Sequence, residues 1–95
     1  MRIISQDNRK DVPYEQYSFK FGWSDDYSQL YINAKNMSGQ SERMATYSSE
    51  EKAIKAMEML HKTYGNYLET KSNNYYFAFD YPKVFQFPQD DEIEV

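Results

Sequence analysis

The fold is decided by three consecutive runs: Tyr17-Ser18-Phe19-Lys20-Phe21-Gly22-Trp23, then Ser24-Asp25-Asp26-Tyr27-Ser28, then Leu30-Tyr31-Ile32-Asn33-Ala34-Lys35. In the first, aromatic rings alternate with small or charged residues, the period of two that marks a strand with one apolar face. The middle run is short, acidic and serine-rich, and reads as a hairpin loop. In the third, Leu30, Ile32 and Ala34 face one way and Tyr31, Asn33 and Lys35 the other. The pair predicts an antiparallel hairpin with a core side and a water side.

Shorter signals lie on either side. Arg2 to Gln6 is a short strand, Asp7-Asn8 a turn that tolerates positive φ, and Val12-Pro13 the start of an extended segment. Asn36 to Ser41, with Gly39, is a loop, and Arg43 to Tyr47 a third short strand. Tyr75, Phe77, Phe79 and Tyr81 alternate with Tyr76, Ala78 and Asp80, which suits a central strand apolar on both faces. Pro82 ends or bends it, and Val84-Phe85-Gln86-Phe87-Pro88 reads as an edge strand or extended arm.

One helix is expected, over about residues 49–64. Ser48 with Glu51 matches a capping box, and Glu50 and Glu51 complement the helix dipole. Ala53, Ile54, Met57, Leu60 and Tyr64 form a stripe at helical spacing, which leaves Met59 as an exposed contact. Gly65-Asn66 reads as the C-terminal cap. The expected architecture is α+β: an antiparallel sheet of four to six strands with the helix packed on one face, in the order β-β-β-β-α-β. Residues 1–88 form one domain. Residues 89–95 form an acidic, flexible tail, because nothing beyond Pro88 can bury itself.

Ninety-five residues suffice for one small domain. Ten Tyr, six Phe and one Trp have to supply most of the core, since Leu, Ile and Val are few. The absence of Cys excludes disulfides, thiolate zinc sites and cysteine nucleophiles. No apolar run has the length of a membrane span, and Met1 to Asp7 lacks the form of a secretory signal, so a soluble, cytoplasmic protein is expected. The net charge of −4 is unevenly placed. Asp90, Asp91, Glu92 and Glu94 account for all of it, so residues 1–89 are neutral.

The side chains that could do chemistry do not converge in the sequence. His61 is the single histidine and has no Cys or second His to complete a transition-metal site. It reads as a boundary residue near the helix C-terminus, where a cation is favoured. The carboxylate pairs Asp25-Asp26, Glu50-Glu51 and Asp90-Asp91 fall in a loop tip, a helix start and a tail. Acid–base or divalent-metal work would need them in one pocket. The three glycines are too scattered for a phosphate-binding loop. A non-enzymatic protein without cofactor or metal is expected. The aromatic ladder of Tyr17, Phe19, Phe21 and Trp23 is expected to be core under the helix. Its other reading is a face that stacks nucleic-acid bases, but a neutral body lacks the basic groove this requires, so direct nucleic-acid binding is not expected.

Phe85, Phe87 and Ile93 bracket the tail acids, a pattern suited to a basic, partly apolar groove on another protein. Met1-Arg-Ile-Ile-Ser-Gln-Asp7, Asp11-Val-Pro-Tyr-Glu-Gln16, Thr46-Tyr-Ser-Ser-Glu-Glu-Lys-Ala-Ile-Lys-Ala-Met-Glu-Met-Leu60 and the ending from Val84 through Asp90, Asp91 and Glu92 to Val95 resemble short uncharacterised proteins of Gram-positive bacteria and their prophages. Members of that group often carry Gly where this chain has Asn8, which can take the same turn geometry. The resemblance implies a mobile-element protein and supplies no catalytic residue. Small phage-encoded domains often block host defence proteins, and the most concrete version is an anti-CRISPR inhibitor of an RNA-guided nuclease. Such nucleases hold nucleic acid in cationic channels. The expected partner is therefore a host protein with a cationic groove, met by Asp25, Asp26, Phe87, Asp90, Asp91, Glu92 and Glu94. The alternative is a small nucleic-acid-binding or regulatory protein using the aromatic sheet face.

Overall fold

The computed structural model describes residues 1–72 and 84–94. Its strands are β1 (Arg2–Ile4), β2 (Asp11–Pro13), β3 (Tyr17–Trp23), β4 (Leu30–Asn36), β5 (Ser41–Tyr47) and β6 (Val84–Gln86), with one helix, α1 (Glu50–Ser72), between β5 and β6. Short 3-10 turns follow β2 at Tyr14–Gln16 and β6 at Asp90–Glu92. The fold is α+β, as expected. The strand expected over Tyr75 to Tyr81 lies outside the described residues.

The single antiparallel sheet is corrected to two sheets of three strands, β2-β1-β6 and β3-β4-β5. In the first, β1 pairs antiparallel with β2 but parallel with β6. A parallel neighbour cannot be reached through a tight turn, and here the connection is the rest of the fold. In the second, Phe19 lies opposite Ala34, Phe21 opposite Ile32 and Trp23 opposite Leu30. Asn8, at the β1–β2 turn, has φ 68°, the left-handed conformation its residue type was expected to allow.

The β4–β5 register carries a bulge. Ile32 faces Ala45 but Asn33 faces Arg43, so Met44 is the extra residue. The bulge breaks the alternation of β5 and lets Met44 and Ala45 both be buried. Helix α1 packs against β4 and β5. The core lies between them, with Leu30, Ile32 and Tyr47 from the sheet and Ala53, Ala56 and Leu60 from the helix. Ile3 and Val12 of the first sheet, with Phe85, Phe87 and Ile93, complete it.

Gln6 joins the two sheets. Its backbone N–H donates to Met44 O at 2.8 Å, extending β1 alongside the outer edge of β5. Its side-chain carbonyl accepts from Thr46 N (2.9 Å), and its amide N–H₂ donates to Thr46 O (3.2 Å) and Pro88 O (3.0 Å). Gln89 Nε2 in turn donates to Gln6 O at 2.6 Å. One residue thus ties together β1, the edge of β5 and the segment after β6.

Helix α1 departs from expectation at both ends. Its N-terminal cap is Ser49, whose Oγ accepts from Lys52 N at 3.2 Å, and Ser48 is engaged elsewhere. Ile54, expected on the buried stripe, is 41% exposed, and Ala56 takes the core position. Met57 is buried and Met59 exposed, as expected. Gly65 does not end the helix, which runs on to Ser72. A helical glycine costs about 1 kcal/mol relative to alanine. Tyr64 stacks on Tyr14 at 3.9 Å and on Tyr67 at 5.8 Å, contacts each worth about 0.5–1.5 kcal/mol. These contacts flank Gly65 and outweigh its cost.

Two stability changes follow, both measurable by urea denaturation. Gly65→Ala places a Cβ where no atom lies within 4 Å, and is expected to stabilise by about 0.5–1 kcal/mol. Had Gly65 been a left-handed cap, the same change would destabilise. Gln6→Ala strips partners from Thr46 and Pro88 and is expected to cost about 2 kcal/mol.

Candidate functional site

The tip of the β3–β4 hairpin is built around Asp26. Its carboxylate accepts from Ser24 Oγ (2.8 Å), Ser28 Oγ (2.7 Å) and Ser28 N (3.1 Å). The Ser28 and Ser24 hydroxyls, with the Ser28 N–H, hold its pKa down at about 2. The tip therefore carries a fixed negative charge throughout the physiological range. Tyr27 turns at φ 59° and holds its ring 74% exposed. That ring lies 6.3 Å from Trp23. Asp25 is exposed beside it.

The aromatic ladder of β3 was expected to be core, and this is corrected in part. Tyr17 and Phe19 pack against the core, but Phe21 is 45% and Trp23 47% exposed. The cause is strand order. The helix lies over β4 and β5, and β3 is the outer strand of its sheet. Ile32 and Leu30, opposite these two rings, are buried, so the covered area stops between one strand and the next.

The segment after Pro88 is not free of the body. Ile93 is buried, which corrects the expectation that nothing there could bury itself. Burying that side chain contributes about 1.5–3 kcal/mol toward docking. Asp90 anchors it: its carboxylate accepts from Ser48 N (2.8 Å), Ser48 Oγ (2.9 Å) and Lys52 Nζ (3.2 Å). Gln89 N donates to Glu92 Oε1 at 2.7 Å, closing a capping box around the 3-10 turn. Lys55 Nζ donates to Glu94 O at 2.7 Å. Tyr47, buried beneath, donates its hydroxyl to Pro88 O at 2.8 Å. Burial, with Asp90 and Glu92 nearby, raises its pKa.

The acids expected to meet a partner thus have different duties. Asp90 and Glu92 hold the C-terminal segment in place, while Asp91 and the Glu94 side chain are exposed. Phe87 belongs to the core at 1% exposure, edge-on to Phe85 at 5.3 Å, and presents nothing to a partner. Topology nevertheless brings the two acidic groups to one end of the β3-β4-β5 sheet. Trp23 faces Leu30 and Leu30 faces Tyr47, so the hairpin tip and Ser48 leave the same end, and Ser48 carries Asp90. Glu50 and Glu51 start the helix there. The result is an acidic rim bearing exposed Trp23 and Tyr27. The sequence places the acids outright but offers exposed rings only as the alternative to a buried ladder, because the strand order decides between the two.

His61 is exposed on the helix. Among the described residues, no group of three or more His, Asp or Glu side chains is placed to hold a metal ion, and no helix is long and apolar enough to cross a membrane.

The Asp90 anchor is testable by pH. The Ser48 N–H and hydroxyl and Lys52 hold its pKa below the ordinary 3.8. A depressed carboxylate contributes stability that is present above the unfolded value and is lost as pH falls through the folded one. Asp90→Asn is therefore expected to flatten the loss of stability below about pH 4. Asp90→Ala is expected to cost about 1–2 kcal/mol at neutral pH, read by denaturation. Comparison with family models, curated proteins and solved structures finds no match to the chain.

Proposed function

We propose that the chain is a non-enzymatic binding protein that seats its acidic, aromatic end in a cationic groove of a host protein and blocks it. Its most concrete form is a phage or mobile-element inhibitor of an RNA-guided nuclease. The observation that carries the reading is the juxtaposition of Trp23 and Tyr27, exposed and adjacent, with Asp25, Asp26 and the Asp90–Glu92 turn at one end of a sheet. Interfaces draw most of their energy from a few such rings, while surrounding charges set association rate and partner choice. The phage setting and the nuclease target rest on the sequence resemblance. The physical features support the narrower statement of a binding surface for a cationic partner.

The exposed Phe21 and Trp23 also favour the second reading, in which this face stacks nucleic-acid bases. The permanently ionised Asp26 beside them opposes it, because phosphates would be repelled there.

The test is inhibition of target cleavage by a purified RNA-guided nuclease from a Gram-positive host, with the chain added in increasing amounts. The expected result is loss of cleavage, relieved by raised salt. Trp23→Ala with Tyr27→Ala should weaken it by about 30-fold, the hot-spot scale. Cleavage unaffected at saturating protein would end the inhibitor reading. Inhibition insensitive to the double substitution would move the contact elsewhere. Removing residues 89–94 is not an equivalent test, since it also removes the buried Ile93.

A further inference from the structure

The other side of the β3-β4-β5 sheet has the opposite character. In register across its three strands, Lys20 faces Asn33 and Asn33 faces Arg43. One step along, Lys35 lies between Ser18 and Ser41. One step the other way, Tyr31 lies between Gly22 and Thr46. These positions make a grid about 10 Å wide, with rows about 7 Å apart. None of the nine is buried, and none is acidic. Among the described residues, Lys20, Lys35 and Arg43 form no ion pair, whereas Arg2, Lys10 and Lys52 each do.

The bulge creates this face. With unbroken alternation Asn33 would lie opposite Met44, and the methionine would sit on the outer face. The extra residue turns Met44 inward and brings Arg43 into line with Asn33 and Lys20. The Arg43 guanidinium then rests 3.6 Å over the Tyr31 ring. An aromatic ring holds it without using its N–H donors. Gly22 keeps the surface low. A Cβ there would come within 3.0 Å of the Asn33 amide, which lies across that position. Beside the grid, Asn33, Arg43 and Thr46 also line an open groove of about 660 Å³, together with Gln6, Asp7 and Lys10 of the β1–β2 connection. Asp7 is the one acid there. Its carboxylate is kept ionised by Ser5 Oγ and Arg9 N, so an anionic ligand is placed on the grid and not in the groove beside it.

We infer that this outer face, with Lys20, Lys35 and Arg43 as its cations, binds the phosphodiester backbone of a single-stranded nucleic acid. Charge complementarity selects the ligand: three unpaired cations with amide and hydroxyl donors suit phosphates. A flat face of three strands about 10 Å wide suits an extended single strand, which can lie across it with its phosphates over the cations. The neutral charge of the whole body concealed this, since none of its acids falls at the nine positions of the grid. The face is opposite the one bearing Trp23, so the inference stands apart from both readings of the aromatic side.

Fluorescence anisotropy of labelled oligothymidylate and oligouridylate of about 12 nucleotides, titrated with the full chain, tests it. Binding is expected at low salt, with a log–log salt slope of about −2 for three phosphate contacts to a single strand. Trp23 emission should stay unquenched. The triple variant Lys20→Gln, Lys35→Gln, Arg43→Gln should bind at least about tenfold more weakly, with a slope near zero. Circular dichroism checks its fold, and Lys20→Glu alone, at an exposed position, serves if the triple variant is unstable. No anisotropy change with either oligonucleotide would overturn the inference, as would binding that the substitutions leave intact. Quenching of Trp23 would move the ligand to the aromatic side and overturn it too. So would preferential binding of polyglutamate, which would make the partner an acidic polypeptide.

Discussion

Gln6 is the constraint on which the arrangement rests. A primary amide can donate twice and accept, and here it does so toward two different elements, taking the place a neighbouring strand would have at Thr46 while also holding Pro88. The outer edge of β5 would otherwise present unpaired backbone groups, the usual route to wrong pairing. Lys10 Nζ serves the same edge through Arg43 O at 3.1 Å. Because the first sheet is fastened here, Ile3, Phe85 and Phe87 reach the core that the helix shares with β4 and β5. Among the described residues, no buried side-chain polar atom lacks a partner. Such satisfied polar junctions select one geometry, since any shift strands several groups together.

Charge in this chain is sorted by place more than by total. One end of the β3-β4-β5 sheet carries acids, the outer face carries cations, and the inner face is apolar. A sum over residues returns neutrality for the body and hides all three. The acids themselves divide into those spent on structure and those left to solvent. Asp26 ties a loop and Asp90 ties a segment, yet both still project negative field, since hydrogen bonding to a carboxylate keeps it ionised. Structural and functional roles for the same carboxylate are therefore compatible here.

The hairpin from Tyr17 to Asn36 was legible because both strands alternate cleanly and the loop between them is built of turn formers. The helix was legible in its stripe but not in its ends. Gly65 looked like a stop, and only the stacking of Tyr14 on Tyr64, distant in sequence, shows why the helix continues through it. The bulge at Met44 was hidden because a one-residue slip leaves no mark in composition. The docking of residues 89–94 was hidden for a related reason. A single Ile93 among acids looks soluble until Ser48 and Lys52 are known to await Asp90. Of the expected contact residues, Asp25 and Asp26 are exposed at the hairpin tip, whereas Phe87, close before the tail acids, belongs to the core.

The pairing of β1 with β6 also has a consequence in time. Gln6 and Pro88 are 82 residues apart, and neither β1 nor the Gln6 amide is complete until the last strand exists. At ribosomal rates of about 5–20 residues per second, the interval is roughly 4–16 s. During it, the β3–β4–β5 meander and the helix can assemble from near neighbours, which close fastest. β1 is thus made long before the strand that covers one of its edges, and until then it offers that edge to any other nascent chain nearby.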